Sequence, residues 1–122
     1  MNKTRILYVE DNDDLREMTG LLMQETRCEL VLCASGEEAL RAWEAEAFEL
    51  VVTDISLPGM SGVDLARKLL AASPQQWIAI CSGYEYGQAL TDIGQNVRVL
   101  PKPFDIDDLE TILQEISTAS AA

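Results

Sequence analysis

Leu50-Val51-Val52-Thr53-Asp54-Ile55-Ser56-Leu57-Pro58-Gly59-Met60-Ser61-Gly62 decides how this chain of 122 residues is read. Residues 50–53 have the composition of a strand and end on a carboxylate at Asp54. Pro58 and Gly59 signal a turn, and Ser61 can cap a helix whose apolar face carries Ala66, Leu69 and Leu70. A strand, a turn and a helix in that order form the repeating unit of a parallel sheet with crossover helices.

The same alternation extends in both directions. Strands are expected at residues 6–9, 29–33, 50–53, 77–81 and 97–100. Leu15, Met18 and Leu22 mark the face of a first helix and are expected to cover the sheet. Ala39, Leu40, Trp43 and Ala47 mark a second, and Ile106, Leu109, Leu113 and Ile116 mark the last. Ser35 with Glu38 forms a capping box, and Asp105 with Asp108 resembles one. The helix before the last strand is the weak element. Tyr86, Ala89, Leu90 and Ile93 have helical spacing, but Gly87 interrupts them and Gly94 closes the span, each glycine costing about 1 kcal/mol against alanine. Five strands and five helices are expected, the fourth helix short or irregular. They form one domain over residues 1–117, with 118–122 a flexible small-residue tail.

Composition narrows the function. With 21 acids against 9 bases the formal charge is −12, which disfavours direct nucleic-acid binding. Histidine is absent, removing the commonest transition-metal ligand and acid-base group. The three cysteines lack paired spacing, and Cys33 and Cys81 fall in apolar strands, where a thiol behaves as a small hydrophobe. Cys28 stands just before its strand. No apolar run is long enough for a membrane span, and no signal-peptide core opens the chain, so a cytoplasmic setting without membrane insertion is expected.

The chemistry is expected where strands end. Glu10 and Asp11 follow the first strand, Asp54 the third, Ser82 the fourth, and Lys102 follows the fifth. In open α/β sheets ligands bind beyond the carboxyl ends of the strands, so these side chains converge if the sheet is parallel. Two like charges 4 Å apart repel by about 4 kcal/mol at an effective dielectric near 20. An acid trio therefore calls for a cation, and Mg2+ suits it because it takes oxygen ligands and admits a phosphoryl oxygen into its shell. A flavin-phosphate site is disfavoured because acids replace hydroxyls and glycines after the first strand, and no P-loop is present.

From residue 6 to about 116 the chain resembles the receiver domain of two-component response regulators. The resemblance rests on Glu10-Asp11, the segment from Val51 to Gly62, Ser82-Gly83-Tyr84 and Lys102-Pro103-Phe104. It implies a flavodoxin-like, doubly wound five-stranded parallel sheet of order 2-1-3-4-5. It further implies that Asp54 accepts a phosphoryl group from a sensor histidine kinase or phosphotransfer protein. Mg2+ would then be held by Glu10, Asp11, Asp54 and the backbone carbonyl of Ser56. Lys102 would pair with the phosphoryl oxygens and Ser82 would hydrogen-bond them. Catalysis would be confined to the chain's own phosphoryl acceptance and autodephosphorylation, and output would pass to a downstream protein target.

One position and one segment length depart from the family pattern. Val99 stands where the family usually has an aromatic switch residue, so the loop from Ser82 to Gly87 is expected to carry the signal instead. The stretch between Ser82 and Lys102 is short, as in receivers attached to hybrid histidine kinases. Ser56 and Tyr84 occupy positions that tune acyl-phosphate lifetime, and Tyr84 is expected to shield the phosphoryl group from water. One alternative is a docking module of the same fold that ignores phosphate. Another is a haloacid-dehalogenase-like phosphatase, which normally needs a second acid where this chain has Ser56.

Overall fold

Every residue of the central strand, β3 (Leu50–Asp54), is buried, because helices cover both faces of the sheet. The computed structural model describes residues 4–82, 91–101 and 105–121. The other strands are β1 (Arg5–Val9), β2 (Glu29–Cys33), β4 (Trp77–Ser82) and β5 (Val97–Pro101), and all pair in parallel in the order β2-β1-β3-β4-β5. The described helices are α1 (Asp13–Met23), α2 (Gly36–Ala45), α3 (Gly62–Ala72) and α4 (Ile106–Ala121), with a 3-10 turn at Gln24–Thr26. Successive strand residues face opposite sides, which divides the core into two layers. Leu7, Val9, Val51, Ile78 and Ile80 meet α2 and α3 through Ala39, Leu65, Ala66 and Leu69. Ile6, Tyr8, Leu50, Val52 and Ala79 meet Met23 of α1 and Leu109, Ile112 and Ile116 of α4.

Local signals act as their chemistry dictates. Ser35 Oγ accepts from Glu38 N at 3.1 Å and Ser61 Oγ from Asp64 N at 3.1 Å. Asp105 and Asp108 cap each other reciprocally at 3.1 and 3.2 Å. Helical structure in α4 runs to Ala121, through the stretch expected to be a tail, since its small residues include good helix formers and no glycine or proline. The helix expected around residues 86–93 falls mostly on 83–90, outside the described residues. No described helix is long and apolar enough to cross a membrane. Cys33 and Cys81 are buried and Cys28 half-buried, and none of the three is in a disulfide. Burial, reinforced by the charge of Glu38 and opposed by Arg16 and Arg41, pushes the Cys33 thiol up to about 11, so it stays protonated.

The first helix corrects the sequence reading. Leu15, Met18 and Leu21 are 41%, 68% and 63% exposed, and Leu22 is only half-buried. The side turned to the sheet is instead Arg16, Thr19, Gly20 and Met23. Gly20 permits the close approach, for a Cβ there would lie 3.3 Å from Leu32 Cδ2. Arg16 is drawn inward by a polar partner, the carbonyl of Glu10. Apolar periodicity therefore marked the wrong face, because α1 is fitted to the sheet by a glycine and a half-buried polar tie.

Candidate functional site

Parallel pairing places the ends of β1, β3 and β4 on one rim. Val9 stands level with Thr53, and Asp54 with Cys81, so Glu10, Asp11, Asp54 and Ser82 all leave the sheet on the same side. One carboxylate oxygen each from Glu10, Asp11 and Asp54 lies within 4.8 Å of the others. Glu10 and Asp54 are 2% and 8% exposed, whereas Asp11 faces solvent. Ser82 is buried at the end of β4, level with Pro101, and Ser56 is exposed two residues beyond Asp54. Val99 is half-buried on β5, level with Ile80, and packs into the α2 and α3 layer. Lys102 and Tyr84, and most of the proposed signalling loop, lie outside the described residues.

The rim is held by backbone geometry that the strand pattern did not reveal. Glu10 N continues the ladder to Cys33 O at 3.0 Å, and Glu10 Oε2 accepts from Asn12 N at 3.1 Å. Asn12 caps α1 by accepting from Leu15 N at 2.9 Å. After Asp54 the chain turns through Gly59, whose φ of 75° is the left-handed conformation that glycine adopts without strain. It returns at Gly62, whose N–H donates to Ile55 O at 3.1 Å. A Cβ on Gly62 would fall into the carbonyl oxygen of Asp54. The Tyr8 hydroxyl, hydrogen-bonded to Thr19, lies close enough to feel Glu10 and Asp54. Burial raises its pKa above that of an ordinary tyrosine, the Thr19 hydrogen bond pulls it partly back, and Cys81, Glu10 and Asp54 add smaller upward contributions, so it remains protonated and is no proton carrier near neutral pH.

The donor set fits magnesium. One oxygen from each of the three acids already lies within 4.8 Å of the others, so adjustment of the side chains would bring them onto a single small cation, which holds oxygen ligands at about 2.1 Å. All three are hard oxygen donors, and no histidine or thiolate competes for a softer metal.

Residues 6–114 match the family model for the response regulator receiver domain. The chain belongs to the response regulator receiver family. The receiver is 29% identical over 119 residues to the response regulator receiver protein CpdR of Brucella abortus, covering 95% of this chain and 98% of CpdR. It is 32% identical over 130 residues to the virulence sensor protein BvgS of Bordetella bronchiseptica, covering 96% of this chain but only 10% of BvgS. Among solved structures it resembles the response regulator TrrA of Thermotoga maritima in complex with Mg2+ and BeF, at 27% identity and a TM-score of 0.80 over 93% of this chain and 98% of that one. The receiver is accordingly a phosphorylation-operated signalling module of two-component systems with the flavodoxin-like fold.

The acids should make the receiver's stability depend on magnesium. In metal-free buffer Asp11→Ala is expected to melt at or above the parent temperature. The gain stays within about 1 kcal/mol because Asp11 is solvent-exposed. Mg2+ at 100 times its dissociation constant should stabilise the parent by about 2.7 kcal/mol and the variant less. Thermal melts with and without Mg2+ measure both, and a parent indifferent to Mg2+ contradicts the assignment.

Proposed function

We propose that Asp54 is the phosphoacceptor of this receiver. One observation carries the reading: the Asp54 carboxylate stands at the end of the central strand, almost enclosed, with the acids of Glu10 and Asp11 gathered beside it. An Asp54 oxygen attacks the phosphorus of a phosphohistidine. The P–N bond breaks, its electron pair returns to the imidazole, and an acyl phosphate forms on Asp54. Glu10, Asp11, Asp54 and the carbonyl of Ser56 would hold Mg2+, which supplies charge neutralisation and Lewis acidity when bound. Ser82 donates its hydroxyl to a phosphoryl oxygen and Lys102 pairs with another. Ser56 and Tyr84 set how readily water reaches the acyl phosphate, and hence the rate of autodephosphorylation. With Val99 in place of a ring, the loop after Ser82 carries the change to a downstream target. The TrrA complex with Mg2+ and BeF supports the metal assignment by similarity. Magnesium-dependent labelling by acetyl phosphate, and its loss in Asp54→Ala, tests the reading.

The phosphodonor is a sensor histidine kinase or phosphotransfer protein, and α1 is the surface that meets it. Leu15, Met18 and Leu21 follow one another at intervals of three residues, forming an oblique ridge that Leu32 extends beside Gly20. The ridge begins four residues after Asp11, so a donor seated on it stands next to the acid rim. Exposed Asp13, Asp14, Glu17 and Glu25 flank it, which selects a helical face with apolar residues bordered by Lys or Arg. A second copy of this chain, at −12, would bring like charges together. Met18→Lys combined with Leu21→Lys should lower labelling by a phosphorylated histidine phosphotransfer protein at least roughly tenfold. Labelling by acetyl phosphate, which needs no docking, should stay within about twofold. Equal loss with both donors would remove the docking assignment.

A further inference from the structure

Neighbouring side chains on an extended strand leave opposite faces, so two consecutive acids cannot both reach one point from such a backbone. Glu10 and Asp11 nevertheless both bring a carboxylate oxygen within 4.8 Å of one on Asp54. The chain must therefore depart from the strand at the peptide that joins them. β1 ends at Val9, and the ladder makes its last bond through Glu10 N.

The carbonyl of that joining peptide accepts from a side chain of α1. Arg16 Nη1 donates to Glu10 O at 2.8 Å, and Nη2 donates to Asp13 Oδ1 at 2.6 Å. Arg16 N donates to Asn12 O at 2.8 Å, closing the first turn of α1 beneath the same loop. The Arg16 side chain is 20% exposed and that of Asp13 85%, so the half-buried end of this tie is the bond to the Glu10 carbonyl. An exposed ion pair with Asp13 contributes little by itself.

We propose that Arg16 is a positioning residue for the metal site: its guanidinium sets the plane of the Glu10–Asp11 peptide and so aims both carboxylates at the ion that Asp54 shares. The proposal rests on reading the acid cluster as a Mg2+ site. Charge alone gives the opposite effect from positioning. Removing Arg16 deletes a cation and leaves the charge of Asp13 unbalanced, which by Coulomb attraction would tighten Mg2+ binding. Lost alignment weakens it.

Isothermal titration of Mg2+ into the parent, Arg16→Ala, Arg16→Lys and Asp13→Asn, with melting temperatures for each, separates these effects. Arg16→Ala should bind Mg2+ about tenfold more weakly, the scale typical for residues that orient metal ligands. Arg16→Lys should recover part of that loss through a single bond to the carbonyl. Asp13→Asn, which leaves the bond to Glu10 O in place, should change affinity less than about threefold. Arg16→Ala that binds as tightly as the parent or tighter, with only its melting temperature lowered, overturns the proposal. So does Asp13→Asn that weakens binding as much as Arg16→Ala. Should Arg16→Ala fail to fold, Arg16→Gln keeps much of the stem's packing and one amide donor, and serves in the same comparison. A parent that does not bind Mg2+ sinks the metal-site reading and this proposal together, whereas a parent that binds beside an unimpaired Arg16→Ala sinks only the role of Arg16.

Discussion

Asp54→Ala will take up no phosphoryl group from acetyl phosphate in the presence of Mg2+, while the parent is labelled to about one phosphate per chain. The variant's initial rate should fall below roughly one hundredth of the parent's, because alanine offers no oxygen to attack phosphorus. Glu10 and Asp11 are poor substitutes. Glu10 is the more deeply buried of the enclosed pair and is tied to Asn12 N, and Asp11, although one of its oxygens lies within 4.8 Å of one on Asp54, is open to solvent. The fold should survive, since Asp54 ends its strand and Thr53, Val52 and Val51 remain to pair and pack. A label retained at full rate in Asp54→Ala removes this residue as acceptor. A parent that cannot be labelled points to the phosphate-independent docking module. Catalytic release of phosphate from many organic phosphates points to the phosphatase.

The largest structural effect is expected from a single methyl group at Gly62. A Cβ there would overlap the Asp54 carbonyl oxygen and lie 3.0 Å from its carbon and 3.1 Å from Ile55 Cα. All three are backbone atoms, so no rotamer change can clear the space. Helix α3 cannot withdraw cheaply either, because Leu65, Ala66 and Leu69 are fully buried against the sheet. Gly62→Ala should cost about 3 kcal/mol, the upper range for overpacking, even though alanine is the better helix former by about 1 kcal/mol. For a domain of this size that lowers the melting temperature by about 10 °C. The displaced strand end should also slow labelling of Asp54. Gly36→Ala is the matched control: its Cβ would stand 3.2 Å from Met60 Cβ and Sδ, a tight side-chain contact that a shift of a few tenths of an ångström relieves, not a backbone overlap, and it should cost about 1 kcal/mol. Equal melting temperatures for the two variants would refute the backbone clash.

Much of the layout was legible because it depends on local chemistry. Each expected strand reappears within one residue at either end, since β-branched and apolar runs bounded by turns have few alternatives. Ser35, Ser61 and Asp105 cap where they were expected, since each finds its partner within three residues. The acids Glu10, Asp11 and Asp54 were legible because parallel strands necessarily bring their carboxyl ends to one rim. The face of α1 was not legible. Its apolar period points to Leu15, Met18 and Leu22, yet the helix is turned by Gly20 against Leu32 of β2 and by Arg16 against Glu10 O at the end of β1, contacts between separate elements. Arg16 carried one faint signal, its spacing of three from Asp13, and that suggests an ordinary surface pair.

What the sequence determined by itself was the order of elements, the parallel sheet and the identity of the acids gathered at its rim, because strand pattern, turns and caps act over a few residues. Only the tertiary structure decided that Leu15, Met18 and Leu21 face solvent, that Arg16 holds the peptide between Glu10 and Asp11, and that no side chain fits at Gly62. Those outcomes depend on how closely whole helices approach the sheet. That distance is set by excluded volume and by polar contacts between separate elements, and no apolar period encodes it.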